Sequence, residues 1–507
     1  MSKQVLDEKQ IRNKVWAACD TLRHVMDPNE YKDYILTFLF LKYVSDLYES
    51  KVEAYRIQYK GDEERVKRRL EREMFVLNDE CTFSYIVKSK NNSQVKDTDD
   101  DKVSIGQTIN NVLHKIQELN FQKLHNVFRG INFNSEAKLG SAKQRKERLG
   151  LLIDDFKDID FKPYLDQVDV VGNIYEFLIE KFAADAGKSG GEFYTPPQVA
   201  ELLAKLVEPK SGDKIYDPTC GSGSLLIQAS KEVKNHDFAL YGQEINGTTW
   251  ALAKMNMFLH GIAQAKIEND DTIKSPKFIE NDTIQKFNIV VANPPFSKDK
   301  WGVETAENDP YKRFDRGVPP KSKGDWAFIT HVVESLLPGG TAGIVVPHGV
   351  LFRGASEGKI REALLKENLV HAVIGLPGNL FYGAGISAAL LILKKNRKEK
   401  DIFFIDASKE FEEGKKQNKL REKDISKIVE NFKKRKPVEK YASLVSAKKI
   451  AEADYNLNIS QYVDSSIEEE EININAVQKQ IIKLEEELTT VQAQMKKYLR
   501  ELGYESK

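Results

Sequence analysis

Between residues 166 and 395 the chain alternates short β-rich apolar runs with longer segments of helical periodicity, and this alternation constrains its fold more than any other feature. The runs are Lys214-Ile-Tyr-Asp217, Ala239-Leu-Tyr-Gly242, Asn288-Ile-Val-Val-Ala292, Gly343-Ile-Val-Val-Pro347, Leu369-Val-His-Ala-Val-Ile374 and Ala388-Ala-Leu-Leu-Ile-Leu393. Six such runs joined by helical spacers predict an open α/β sheet of parallel strands with crossover helices. Ligands of such sheets collect beyond the carboxyl ends of the strands, so the residues just after each run are where chemistry is expected.

The flanks read differently. Residues 1–165 form a helical amino-terminal domain, with Tyr34, Phe38, Leu41, Val44 and Tyr48 at helical spacing and no alternating strand. Within it, Arg65-Val-Lys-Arg-Arg-Leu-Glu-Arg-Glu73 mixes both charge signs and reads as a solvated helix face, while Lys88 to Lys102 reads as a long surface loop. Residues 396–470 are lysine-rich and weakly periodic, a connector or small subdomain. In 471–507, Ile474, Val477, Ile481, Leu484, Leu488, Val491, Met495 and Tyr498 repeat three and four apart, a heptad seam for a long helix that needs a partner. That partner is another subunit, a second copy or the same chain.

Lys+Arg 77 against Asp+Glu 77 gives no global basic field, so any nucleic-acid contact must come from local patches. Three scattered cysteines, Cys19, Cys81 and Cys220, form neither a metal cluster nor a disulfide framework, and no histidine pair has ligand spacing, so no metal is expected. Without an amino-terminal apolar stretch or a span of about 18 apolar residues, the chain is expected to be cytoplasmic and not membrane-bound.

Two stretches carry chemistry. The first is Asp217-Pro-Thr-Cys-Gly-Ser-Gly-Ser-Leu-Leu226, where Gly221, Ser222 and Gly223 form a bend between strand and helix that lets backbone approach a nucleotide-like ligand. No Lys-Ser/Thr follows the glycines, which argues against a triphosphate cradle, and Leu226 stands where a dinucleotide fingerprint has its third glycine. A ligand without pyrophosphate fits. Asp217 offers an acceptor for a cationic amino group, Glu244 at the end of the next strand offers a carboxylate for ribose hydroxyls, and Asp270-Asp271-Thr272 offers an acceptor for an adenine amino group. S-adenosylmethionine satisfies all three. A glycine bend alone often only tightens a strand-helix junction; with both acids in order the cofactor reading outweighs that.

The second stretch is Asn293-Pro294-Pro295-Phe296, closing the run Asn288–Ala292. Two prolines stop the ladder and stiffen the turn, so Asn293 is held at the ligand end of the sheet. An Asn-Pro pair by itself is commonly just a loop terminator, but on the same sheet as a cofactor bend it reads as a positioning site.

These motifs together resemble the amino-group DNA methyltransferases. More closely, Gly191-Glu192-Phe193-Tyr194-Thr195-Pro196, the helical start and Tyr455-Asn-Leu-Asn-Ile-Ser-Gln-Tyr-Val463 resemble the modification subunit of type I restriction-modification systems, over nearly the whole chain. Departures are Asn288, where the family usually has Asp, and Glu192, where Gln is common. The resemblance implies a Rossmann-like methyltransferase sheet domain over 166–395 between the helical domain and a coiled-coil-like carboxy-terminal helix. It implies methylation of adenine N6 in duplex DNA, with the base flipped out, Asn293 and the Pro294 carbonyl accepting the amino hydrogens, and Phe296 stacking on the base. Gly191 to Pro196 would close over the methionine end of the cofactor. The segment after the turn carries Lys298, Lys300, Lys312, Arg313, Arg316, Lys321 and Lys323, suited to phosphate contacts.

No target-reading domain is evident, so the resemblance implies a separate specificity subunit holding two copies of this chain, a restriction nuclease subunit as a further partner, and a bacterial or archaeal cytoplasm. An N-methyltransferase for RNA or protein glutamine, a nonenzymatic DNA-binding scaffold and, more weakly, a nicotinamide oxidoreductase are the alternatives. Cytosine-C5 chemistry is disfavoured because Cys220 lies inside the cofactor bend, and His331 and His348 read as packing residues.

Overall fold

The computed structural model describes residues 6–92, 103–382, 385, 387–415, 417–465 and 474–504. The chain divides into two units, Met1–Val463 and Asp464–Lys507.

The first unit is built on a nine-stranded sheet. Its strands are β1 (Asp213–Asp217), β2 (Phe238–Glu244), β3 (Lys266–Asn269), β4 (Phe287–Ala292), β5 (Leu336–Pro347), β6 (Val370–Gly375), β7 (Ala388–Lys394), β8 (Ile402–Asp406) and β9 (Ala442–Val445). They lie in the order β9-β8-β6-β7-β5-β4-β1-β2-β3. From β1 the chain builds outward through β2 to β3, then returns to lay β4 on the other side of β1. The winding therefore reverses between β1 and β4, and a crevice opens beyond their carboxyl ends. Alternating side chains supply a core on each face of the sheet: Ile215, Ile289 and Ile374 pack on one side, Tyr216, Val290 and Val373 on the other.

All six expected strands are present, but the sheet is mixed. β7 runs antiparallel to both β5 and β6, and β9 antiparallel to β8. The connection 376–387 explains the first reversal. It contains no helix among its described residues, and a parallel neighbour needs a crossover, usually helical. The expected connector at 396–470 is likewise corrected, because β8 and β9 extend the sheet and the helix Glu422–Lys434 lies between them in sequence. Its Ile425, Ile428 and Phe432 are buried, an amphipathic pattern masked in the sequence by the lysines of the opposite face. The Tyr455–Val463 stretch then docks on the same sheet domain: Leu457 N donates to Leu351 O at 2.9 Å, and the Tyr462 ring lies 4.5 Å from Phe404.

The amino-terminal layer is helical, as expected. Helix α1 (Pro28–Gln58) starts at Asp27, whose side chain accepts from Asn29 N, with Pro28 in the first turn. It is buried almost continuously from Tyr31 to Asp46, which makes it the central helix of the layer. Burial of Lys42 and Asp46 is offset by their ion pair at 2.5 Å and by Phe161 N donating to Asp46. Val66 is buried beneath Glu63–Leu70 while the lysine and arginines of that helix face solvent. Lys88 to Asn92, expected in a loop, belong to the helix Phe83–Asn92; the rest of that expected loop lies outside the described residues.

Helix α2 (Val168–Ala186) leads from this layer toward the sheet domain, α3 (Pro197–Val207) packs on the sheet domain before β1, and α4 (Ser224–Lys231) and α5 (Gly247–Leu259) are the crossovers from β1 to β2 and from β2 to β3. The helical layer's core runs on into α5: Phe258 stacks edge-on to Phe75 at 5.1 Å and lies 6.3 Å from Phe40. The same core includes Phe193 and Tyr194.

The second unit contains α6 (Ile474–Glu501), the expected long helix. Val477, Ile481, Leu484, Leu488, Val491, Met495 and Tyr498 are between 41% and 63% exposed along it. Among the described residues, no helix is long and apolar enough to cross a membrane.

Candidate active site

At the switch point a small cleft brings together three stretches distant in sequence. Gly191, Phe193, Tyr194 and Thr195 line it from the segment before α3, Asp217, Gly221 and Ser222 from the bend after β1, and Asn293 from the turn after β4.

The bend is determined by backbone. Gly221 has φ +54° and Gly223 has φ +81°, a region disfavoured for side-chain-bearing residues. A Cβ on Gly221 would lie 2.7 Å from Phe193 O, and one on Gly223 would lie 2.7 Å from Met257 Cε. Ser222 N donates to Phe193 O at 3.1 Å, so the Gly191–Pro196 segment rests directly on the bend. Glu244 braces it from the next strand, accepting from Gly221 N at 3.0 Å on one oxygen and from Asn246 N at 2.8 Å on the other.

Asp217 is buried at the end of β1 and accepts from Thr219 N at 2.9 Å. Burial pushes its carboxyl up to about 8, and the nearby Glu244 charge adds to the rise against that hydrogen bond. A cation placed beside it would lower the cost of its ionised form. Glu244 is also raised by burial.

The Asp271-Thr272 turn divides its two residues. Asp271 Oδ1 accepts from Ile273 N and Lys274 N, while the buried Thr272 donates its hydroxyl to Pro218 O at 2.5 Å. Thr272 thus ties this turn to the glycine bend. The preceding Asp270 is held in an ion pair with Lys277 at 2.6 Å.

The turn after β4 is positioned by side chains. Asn293 Nδ2 donates to Thr195 Oγ1 at 3.1 Å, which commits the amino end of the amide and leaves Oδ1 as its acceptor. Pro294 is buried. Phe296 meets Phe381 edge-on at 5.8 Å. Ser297, with φ +50°, donates its N–H to Asp325 Oδ1 at 2.7 Å, and Gly324 N donates to Lys298 O at 2.8 Å. Arg353 holds the other oxygen of the buried Asp325 at 2.6 Å. The segment 298–324 is therefore a loop closed at its base, and Trp301 and Phe314 pack inside it with Ile273.

Residues 166–471 match the family model described as N-6 DNA Methylase, and residues 11–156 match the HsdM N-terminal domain. The chain belongs to the N-6 DNA methylase family. It is 36% identical over 498 residues to the type I restriction enzyme MpnII methylase subunit of Mycoplasma pneumoniae, covering 91% of this chain and 90% of that one. It is 37% identical over 465 residues to the MjaVIII methylase subunit of Methanocaldococcus jannaschii, covering 87% and 76%. The type I restriction-modification system methyltransferase subunit from Streptococcus thermophilus superposes with a TM-score of 0.79 at 34% identity, over 90% of this chain and 100% of that chain.

In this methylase the loop after the turn is not the uniformly basic patch its composition suggests. Lys298, Lys300, Lys312 and Lys321 are exposed, but Arg313 is buried and Arg316 is engaged by Glu334 and Glu367 at 2.8 and 2.7 Å. Two of its seven cations are thus structural. Asn288, the departure noted before β4, accepts from Lys214 N at 3.0 Å and joins β1 to β4. Cys220 is buried under the bend, and desolvation raises its thiol well above the ordinary value, the reverse of what a nucleophile needs. His331 is a buried packing residue hydrogen-bonded to Tyr216 Oη.

Composition and spacing give no sign of a further polar support. Glu176 of α2 accepts from Ser224 Oγ at 2.8 Å and Asn256 Nδ2 at 2.5 Å, and the same Asn256 nitrogen donates to Ser222 O. The network holds the bend from behind. Of the other expected site residues, Gly223, Glu244, Asp271, Thr272, Pro196, Pro294, Pro295 and Phe296 do not line the cleft, although Glu244 bonds a residue that does. The Glu192 side chain lies outside the described part of the structure.

Proposed function

We infer that the methylase transfers a methyl group from S-adenosylmethionine to N6 of an adenine flipped out of duplex DNA. The observation that carries this reading is the Asn293–Thr195 hydrogen bond, which joins the Asn-Pro-Pro-Phe turn to the segment resting on the glycine bend. The residues present fit the cofactor: the cleft holds a buried carboxyl short of a cation at Asp217 and backbone free of a side chain at Gly221, and the acids Glu244 and Asp271 stand beyond its lining, each accepting from backbone N–H groups. When bound, S-adenosylmethionine supplies a methyl group activated by sulfonium.

The chain's own residues prepare the acceptor. An adenine amino group is a weak nucleophile because its lone pair is delocalised into the ring. Asn293 Oδ1 and the Pro294 carbonyl accept its two hydrogens and localise that pair, Phe296 stacks on the base, and one of the two hydrogens leaves as a proton to solvent once the nitrogen carries the methyl group. The stiff turn then fixes the line of approach, which replaces an entropic cost of encounter. Unstacking the adenine costs a few kcal/mol, offset by this pocket. Exposed lysines of 298–324 contact phosphates beside the flipped base.

A separate specificity subunit selects the site and holds two copies of this chain, through the helical domain 1–165 and the seam of α6, and a nuclease subunit joins that complex in the cytoplasm. Transfer of tritiated methyl to duplex DNA, RNA and protein, with and without the specificity subunit, tests the reading. Asn293→Ala is expected to lower methyl transfer to DNA by about 10²–10³-fold with S-adenosylmethionine affinity retained. Near-normal turnover, or transfer to RNA or protein in preference to DNA, defeats it.

A further inference from the structure

Arg313 lies in the post-catalytic loop, where composition suggests a phosphate contact, yet it is only 2% exposed and its donors are directed inward. Nε and Nη2 grip Asp309 of the same loop, the closest contact being 2.7 Å. Nη1 donates to Thr272 O at 3.1 Å and Nη2 to Ile273 O at 2.8 Å, both in the turn that follows β3. Nη1 also lies 3.3 Å from His331 Nδ1, whose Nε2 meets Tyr216 Oη at 3.1 Å. Tyr216 precedes Asp217, and Thr272 is bonded to Pro218 O.

These contacts close a circuit. From the loop it passes through the guanidinium to the Asp271–Ile273 turn, from there to the cofactor bend, and back through Tyr216 and His331 to the helix Asp325–Glu334. That helix begins with the residue clamping Ser297 at the exit of the catalytic turn. The planar five-donor fork of arginine makes such a junction, which a lysine cannot reproduce.

The geometry points to Arg313 as a positioning residue that joins the adenosine side of the cofactor site to the substrate-side loop, so that cofactor binding and ordering of residues 298–323 are energetically coupled. The inference rests on the S-adenosylmethionine reading above. A bound adenosine that steadies the Asp271–Ile273 turn steadies the loop through the guanidinium, and by linkage an ordered loop tightens the cofactor.

Arg313→Lys separates this role from simple maintenance of the loop, because a lysine keeps an ion pair with Asp309 but loses the two-carbonyl bridge. The measurements are the S-adenosylmethionine Kd by calorimetry and amide hydrogen exchange with and without S-adenosylmethionine, on the full chain. In the wild type the cofactor is expected to slow exchange across 271–275 and 298–323. In R313K the Kd should rise about tenfold and the slowing at 298–323 should disappear while that at 271–275 persists. A wild-type Kd, or retained slowing at 298–323, overturns the proposal. Should R313K fail to fold, Asp309→Asn leaves the carbonyl bonds in place and loosens the loop's grip; it should reduce the slowing at 298–323, and unchanged slowing overturns the proposal equally. If the wild type itself does not bind S-adenosylmethionine, it is the cofactor reading that fails.

Discussion

The two loops that leave the sheet at its switch point are built in opposite ways. The bend after β1 takes its shape from residues inside it, two glycines at positive φ with no room for a Cβ. The turn after β4 has prolines for local stiffness, but its functional orientation depends on residues far along the chain: Thr195 on the Asn293 amide, and Asp325 with Arg353 on Ser297. A backbone-determined loop should fail all at once when its own residues change. One determined by remote side chains should fail by degrees.

The sharpest way to break this contrast is Gly221→Val. Positive φ and a contact with the Phe193 carbonyl together cost about 1–3 kcal/mol or more, so S-adenosylmethionine affinity measured by calorimetry should fall roughly tenfold to a hundredfold. An unchanged Kd would show that the bend tolerates side chains. Next, Thr195→Val removes one acceptor and keeps the volume; loss of a hydrogen bond worth about 1 kcal/mol should lower kcat for DNA methylation by roughly tenfold or less, with Thr195→Ser restoring it. A fall in Thr195→Ser as large as in Thr195→Val would assign the effect to packing.

The mildest test is pH. On the proposed cofactor reading Asp217, raised to about 8 by burial, must ionise to accept a cationic amino group, so cofactor binding would release a proton below that pH. Affinity should therefore improve roughly fivefold between pH 7 and pH 8 and then level off, and Asp217→Asn should remove the trend. The sign for folding is opposite. The folded chain keeps a proton that the unfolded carboxyl releases above its ordinary 3.8, so this site's contribution to stability is greatest below that value and is lost as pH rises through about 8.

The same contrast explains what was legible in the sequence. Asp217, Gly221, Gly223 and Asn293 stand out because their local pattern carries their geometry. Asp325, Glu176 and the bracing role of Arg313 do not, since each acts on a partner tens of residues away and has no spacing to betray it. β3 leaves no apolar run because it is short and mostly exposed, and the run Ile402–Ile405 of β8 is obscured by the lysines around it. The reversal of β7 depends on how 376–387 connects it, which no apolar run records.

Phe193 and Tyr194, which form one wall of the cleft, are anchored in the core of the amino-terminal helices. Displacing those helices would therefore displace the wall as well. A subunit gripping the outside of the helical layer would thus hold a mechanical handle on the cleft, at a distance from Asp217 and Asn293.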